Sequence, residues 1–477
     1  MRINEKGQFV IKNYQQQKTF SSFLPGIAGK MGVPMWAFYV NRGQGVASFG
    51  IKDKDHSIME FNPANKSYQL TPLKGFRTFI KFLGSNYIYE PFTESSDKVK
   101  NEMIIDAHSM VLKEVNHKLG LEISVCYFTL PEESFGALIR KIKNKNLSDD
   151  EIKLEVLDGL PEVIPEGISN QALKEVSQTM SGWCRVDNME EKMPVFKISA
   201  TADDSPEVRN IVSGHFYLSF SEENERNQLL QPLVDPEVIF DKDKAFISPI
   251  NFKKEILADY EGKQLLKNRY PSAMASVVKT INAGEELNIN SIYGHTSDQK
   301  KLKNVKERIL KPGYIAAKEE ENKNLHDYYQ DHIFTVSNYP QFDQYCRQTF
   351  LDNTLRGGFP SEIGGEIYHL FSRKHGDLER DYNFFQLEDN YFSQGNGNYR
   401  DVNQNRRSDN FFNPKVQKAN IKLFANLIQM DGFNPLVIKG LTFSLKRANS
   451  EEIIKLANNK KKLLAERLKN EFTPGEL

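Results

Sequence analysis

Between Ser393 and Pro414 the sequence SQGNGNYRDVNQNRRSDNFFNP sets Arg400, Asp401, Asn403, Gln404, Arg406, Arg407 and Asp409 among aromatic residues. An adjacent Arg–Asp followed by Asn and Gln offers fixed donors and acceptors that suit the vicinal hydroxyls of a sugar. Gly395 and Gly397 permit backbone bends closed to other residues. The run is expected as a loop between buried helices, a placement that favours binding. The competing reading is an exposed polar loop with a structural Arg–Asp pair.

Other chemistry is sparse. Arg42-Gly43-Gln44-Gly45 falls short of a dinucleotide fingerprint, because position 48 is Ser, and reads as a hairpin turn. There is no Walker A sequence, no H-E-x-x-H and no G-x-S-x-G. His326 and His332 lie six apart, as do His369 and His375, a spacing that puts side chains on different helix faces. No metal ligands are therefore assigned. No acidic residue stands in a context that marks it as a general acid.

The elements that must position the polar run fall into two textures. Residues 1–295 read as a β-sandwich domain of short antiparallel strands. Val33–Gly50 forms a hairpin around 41–45, and Leu121, Ile123 and Val125 alternate with Glu122 and Ser124. Further strands are expected at SFGALIRKIKNK, EIKLEVLDG, VFKISAT, SGHFYLSF and EELNINSIYG, with helical inserts around 167–181 and 253–267. Residues 296–325 read as a helical linker, a charge-dense and solvated helix pair. From 326 to 477 the pattern is of buried helices. One opens at Pro340 with Phe342, Tyr345, Cys346 and Phe350 on a face and Gly357 as its cap. Another starts at Asn413-Pro414 and stops at Asp431-Gly432, with an apolar face wide enough to be covered on more than one side. A last helix runs from Ser450 to Lys469.

Thr473-Pro474-Gly475-Glu476 reads as a capping box. A helix is announced directly before Leu477, and the expectation is a product cut short of its domain end rather than a frayed polar tail.

Composition narrows the function. In 477 residues, Lys plus Arg and Asp plus Glu are both 63, so net charge is zero, which argues against nucleic acid and against a polybasic membrane anchor. No stretch approaches the ~18–20 apolar residues that span a bilayer. Cys126, Cys184 and Cys346 are far apart and odd in number, which fits a reducing cytoplasm.

The order of sandwich, linker and helical domain with NYRDVNQNRR resembles the amino-terminal portion of inverting glycoside phosphorylases, the cellobiose and chitobiose phosphorylase group and its β-glucan phosphorylase relatives. Their F/Y-R-D-S-x-Q-D segment is similar to Tyr399–Asn405, with Val402 and Asn405 as departures, and FSSFLPGIAGKMGVPMWAFYVNRGQGVASFGIKDKD is similar to their opening strands. The resemblance implies an α+β multidomain fold ending in an incomplete (α/α)6 barrel. Twelve helices need about 160–230 residues, more than 326–477 supplies. It implies phosphorolysis of β-glucosidic bonds with inversion to give a sugar 1-phosphate, with inorganic phosphate as co-substrate and no other cofactor. One acid protonates the glycosidic oxygen while phosphate replaces the activated water.

By the same resemblance Arg400 and Asp401 bind hydroxyls of the non-reducing-end sugar, and Gln404 adds to them. Arg406 and Arg407 either support the run or reach toward phosphate or oligosaccharide. No catalytic acid can be named in this chain. The implied partners are a β-linked glucan or oligosaccharide and the remaining helices supplied as a separate chain, with a homodimer allowed. Inactivity alone is expected. The alternatives are a non-catalytic carbohydrate-binding protein and part of an (α/α)6 glycoside hydrolase.

Overall fold

The structure, a computed structural model, describes residues 2–477 apart from 86, 95, 201–210, 223–226, 373–384, 446–452 and 456–459. It is a mixed α+β arrangement of large antiparallel sheets and several helices. The main sheet has eleven strands. Its centre runs from Leu121–Thr129 through Ala137–Asn146, Glu286–Thr296 and Gly214–Ser221 to Val195–Ile198. A five-stranded sheet is centred on Ile152–Leu160 and Arg77–Phe82, and a four-stranded sheet holds the hairpin Trp36–Val40 and Val46–Gly50.

Leu121, Ile123 and Val125 are buried while Glu122 and Ser124 are only part-buried, the period of two expected from a strand with one dry face. Leu138 and Ile142 point to the same side, into one core with Ile80, Val156 and Val277 of the five-stranded sheet and Phe49 of the hairpin. Ile139 points to the other side, where Phe216, Leu218 and Ile292 meet Leu302, Val305, Ile309 and Ile315. These last four belong to the helices Leu302–Ile309 and Tyr314–Gln330. The expected solvated helix pair is therefore corrected. Most of its charges face solvent, Lys318 and Glu319 reach inward to Glu133 and Lys141, and an apolar stripe seals the back of the sheet.

Between the sheets lies a buried polar centre. Arg140, wholly buried, donates through Nε to Asp158 Oδ2 at 3.1 Å and through Nη2 to Oδ1 at 2.7 Å. The same guanidinium donates to Thr78 at 2.9 Å, to Gln44 and to the Tyr127 hydroxyl. Arg140 and Tyr127 come from the main sheet, Asp158 and Thr78 from the five-stranded sheet, and Gln44 from the hairpin turn.

A second buried pair explains another difference. Lys81 meets Glu155 at 2.6 Å, and its ammonium also donates to the carbonyls of Phe252 and Glu255 at 2.7 Å. Glu155 accepts from the backbone N–H groups of Leu257 and Ala258. The backbone after Lys254 is thereby held open, and the helix expected over 253–267 is only Ile250–Lys254. The other insert forms Asn170–Glu175 and a 3-10 turn over Ser177–Trp183.

The helix Pro340–Gly357 forms, but Phe342 and Tyr345 lie on its exposed side, Leu351 and Leu355 are buried, and the cap is Gly358. Asn413-Pro414 opens a 3-10 turn followed by a helix over Ala419–Asn426, shorter than expected and with Ile421 and Ile428 exposed. Of the last expected helix, Lys461–Arg467 is helical, while 450–452 and 456–459 lie outside the described residues. The capping box at Thr473 and Glu476 is formed within a 3-10 turn. The described helices after residue 313 do not by themselves constitute a barrel.

Removing Arg140 leaves the Asp158 carboxylate buried without its cation. Arg140→Met is expected to lower stability by about 3–5 kcal/mol in urea unfolding. A loss under about 1 kcal/mol would mean that water or rearranged neighbours satisfy Asp158.

Candidate functional site

The polar run is a helix rather than a loop. Gly397-Asn398 pairs with Val437-Ile438 as a two-residue strand, and Tyr399–Arg406 follows as an α-helix. Asp401 lies in the first turn and Arg406 in the last, both favourable to the helix dipole. Val402 and Arg406, one turn apart, form the buried stripe. Gly397 serves by its lack of a side chain: a Cβ there would come within 2.2 Å of Val402 Cγ2. Neither Gly395 nor Gly397 has a positive φ, so close approach, and not a bend, is what Gly397 supplies.

This helix sorts the expected residues. Arg400 and Gln404, four apart, share the exposed side. The Arg400 side chain is 88% exposed and its Nε lies 3.1 Å from Asp401 Oδ1. Asp401 is steadied by Asn398 Nδ2, which donates to its Oδ2 at 3.3 Å. Arg407 is also exposed. The solvent-facing side thus presents a planar donor fork, a carboxylate acceptor and an amide within one turn.

The inward side is a different environment. Arg406 donates from Nε to the Gly357 carbonyl at 2.5 Å, and burial pushes its guanidinium down to about 10. His369 Nε2 lies 2.9 Å from Asp409 Oδ2, which also accepts from Asn420 Nδ2 at 2.8 Å. Burial, reinforced by Arg406, pushes His369 down to about 4, so the ring is neutral near pH 7 and donates its N–H to Asp409. A cavity of about 370 Å³ opens here, lined by His369, Gln394, Arg406, Leu423, Ile438 and Leu441. Gln394 clamps one wall, donating to the Leu441 carbonyl at 2.7 Å and accepting from its N–H at 2.8 Å. Sequence spacing could not find His369, because its partner Asp409 is forty residues away; His375 lies outside the described residues.

Glu388 is also missed by sequence. Its N–H donates to the Gln394 carbonyl at 3.0 Å, and its Oε2 is buried without a hydrogen-bond partner. Burial, with Glu476 and Asp389 adding repulsion, pushes its carboxyl up to about 7. No sequence motif marks it, since the shift arises from burial.

A larger cavity, of about 630 Å³, lies between the edge of the main sheet and the Pro340–Gly357 helix, lined among others by Phe9, Phe20, His108, Gln344 and Tyr345. Arg400, Asp401 and Gln404 do not line it.

No protein-family model and no curated protein matches the chain. Among solved structures it aligns over 94% of its length with a bacterial glucoamylase complexed with acarbose, at 12% identity and a TM-score of 0.38. It aligns over 73% with a human-microbiome protein described as a kojibiose phosphorylase, at 9% identity and a TM-score of 0.27. A galactose mutarotase-like protein from Clostridium acetobutylicum aligns over 61%, at 10% identity and a TM-score of 0.30. The chain spans 55% of the glucoamylase chain and 32% of the phosphorylase chain. No helix among the described residues is long and apolar enough to cross a membrane.

The raised Glu388 carboxyl yields a signed prediction. Its folded value lies above the unfolded one, so the folded state holds the extra proton between about pH 4.5 and 7 and stability falls as pH rises through that window. Glu388→Gln is expected to flatten that part of the fall when melting is compared at pH 5.0 and 7.5. An unchanged difference between wild type and variant across the two pH values would place the Glu388 carboxyl in a wetter setting.

Proposed function

We propose that this chain carries the carbohydrate-recognising part of an inverting β-glucoside phosphorylase, with Arg400, Asp401 and Gln404 holding hydroxyls of a β-linked glucan or oligosaccharide. The observation that carries the reading is the exposed Arg400–Asp401 pair on a helix whose other side is buried. An Arg fork beside a carboxylate can take a vicinal diol by donating to one oxygen and accepting from its neighbour. Among the described residues the Arg400 guanidinium meets Asp401 and is otherwise open to solvent. The family resemblance of Tyr399–Asn405 supplies the reaction: proton donation to the glycosidic oxygen and attack by phosphate on the anomeric carbon from the opposite face.

The chain does not offer the complete machinery in this reading. Large apolar side chains stand exposed after residue 327, among them Phe334, Val336, Phe411, Met430, Phe433 and Leu436. Such surface calls for cover, and we assign the cover to further helices of a partner polypeptide that brings the acid and the phosphate ligands. Phosphorolysis by 1–477 alone is therefore not expected.

Glu388 favours a second reading, hydrolysis, because a carboxyl that burial pushes up to about 7 holds its proton closer to neutral pH, as a general acid must. Phosphate separates the two readings, being consumed in one and idle in the other.

Isothermal titration of 1–477 with cello- and laminari-oligosaccharides tests recognition. Arg400→Ala and Asp401→Asn should each weaken binding about tenfold or more, the cost of leaving a polar partner unpaired. Wild-type binding left unchanged by both substitutions, or no binding at all, would overturn the assignment. Release of sugar 1-phosphate by the isolated chain would overturn the expected inactivity.

A further inference from the structure

His215 and His295 are eighty residues apart in sequence, yet they are direct cross-strand partners at one end of two adjoining strands of the main sheet. Phe196 on the next strand pairs with His215, and the Glu166 N–H donates to the Phe196 carbonyl at 3.2 Å. Neighbouring backbones thus bring one carboxylate and two imidazoles to a single point. Glu166 Oε2 lies 3.3 Å from His215 Nε2 and 3.7 Å from His295 Nδ1. One ligand atom from each residue lies within 4.8 Å of the other two.

Two of these atoms have an unmet need. His215 is fully buried, and neither its Nε2 nor Glu166 Oε2 has a hydrogen-bond partner. A buried polar atom without a partner is costly, and two of them facing each other are more so. Burial pushes His215 well below its ordinary value and His295 down to about 3, so both rings are neutral and keep a lone pair to donate.

We propose that Glu166, His215 and His295 form a zinc site of the two-histidine, one-carboxylate type. With each donor about 2.0–2.2 Å from an ion, the 3.3 Å Glu166–His215 pair subtends roughly 100–110° and the 3.7 Å Glu166–His295 pair roughly 115–135°, bracketing the tetrahedral value after a small inward shift of His295. Three protein ligands leave a fourth position for water. Glu166, whose side chain is 15% exposed, marks the open side. The neighbouring cations do not forbid the ion: Lys52 is paired with Asp389 at 3.4 Å and His56 with Asp53 at 2.7 Å. The rival arrangement is metal-free, with one Nδ1–H donating to the other Nδ1 across 3.3 Å. This inference is independent of the sugar-binding helix.

The test is zinc titration of chelator-treated 1–477, read by elemental analysis after desalting and by the visible absorption of Co²⁺ bound in its place. Wild type should retain ~1 zinc per chain and give the intense absorption of four-coordinate Co²⁺. Glu166→Gln and His295→Gln should weaken binding by at least the roughly 10–100-fold that loss of even an outer-shell partner costs. His369→Gln, at a buried histidine outside the cluster, should retain the ion. Failure of wild type to retain zinc overturns the proposal without recourse to any variant. Equal retention by a folded Glu166→Gln, checked by circular dichroism, overturns it as well.

Discussion

The arrangement depends on Arg140. Its guanidinium is fixed bidentately on Asp158 and reaches Thr78, Gln44 and Tyr127, so one side chain gathers the main sheet, the five-stranded sheet and the hairpin turn. A buried ion pair is a poor source of net stability, because desolvation offsets most of the attraction. Its value is in register. A one-residue slip of Ala137–Asn146 or of Ile152–Leu160 would turn Arg140 or Asp158 to the opposite face and leave its partner buried and unpaired. The strand Glu286–Thr296 is shared: on one edge its Ser291 lies opposite Arg140, and on the other its His295 lies opposite His215. Position at the metal-type cluster is therefore inherited from register at the polar core.

The helical end rests on a different constraint, amphipathicity within two turns of helix. Val402 and Arg406 are drawn inward, and the period of the helix then leaves Arg400 and Gln404 outward. The cavity beneath is lined by a buried Arg406 and a neutral His369 held by Asp409, which hold the wall. The proposed recognition residues stand on a helix, and a helical mount loses less entropy on binding than a loop would.

Much of the sheet architecture was legible from alternation, because Leu121–Thr129 and its neighbours show a period of two. The helices were harder. Pro340–Gly357 could be read from its proline and its length, but its buried face could not, since the chain places aromatic residues such as Phe342 and Tyr345 toward solvent. The run at 399–406 has almost no apolar residue besides Val402, so no helical stripe was visible and composition pointed to a loop. The segment after Lys254 was misread because Lys81 and Glu155, more than ninety residues distant in the chain, hold its backbone open. Sequence analysis nominated Arg400, Asp401 and Gln404, which the fold places on one helix with Arg400 and Gln404 exposed. It could not find Glu388, His369 or the Glu166–His215–His295 cluster, whose properties come from burial and from contacts across the fold.

The claim at the centre of this account is that sugar meets the protein at the outward side of helix 399–406. Hydrogen–deuterium exchange with and without a saturating cello-oligosaccharide tests it most directly. Protection concentrated in peptides covering 394–407, with the 630 Å³ cavity beside Phe9 and Gln344 unaffected, is the predicted result. Protection centred on that cavity, or none in 394–407, would contradict it.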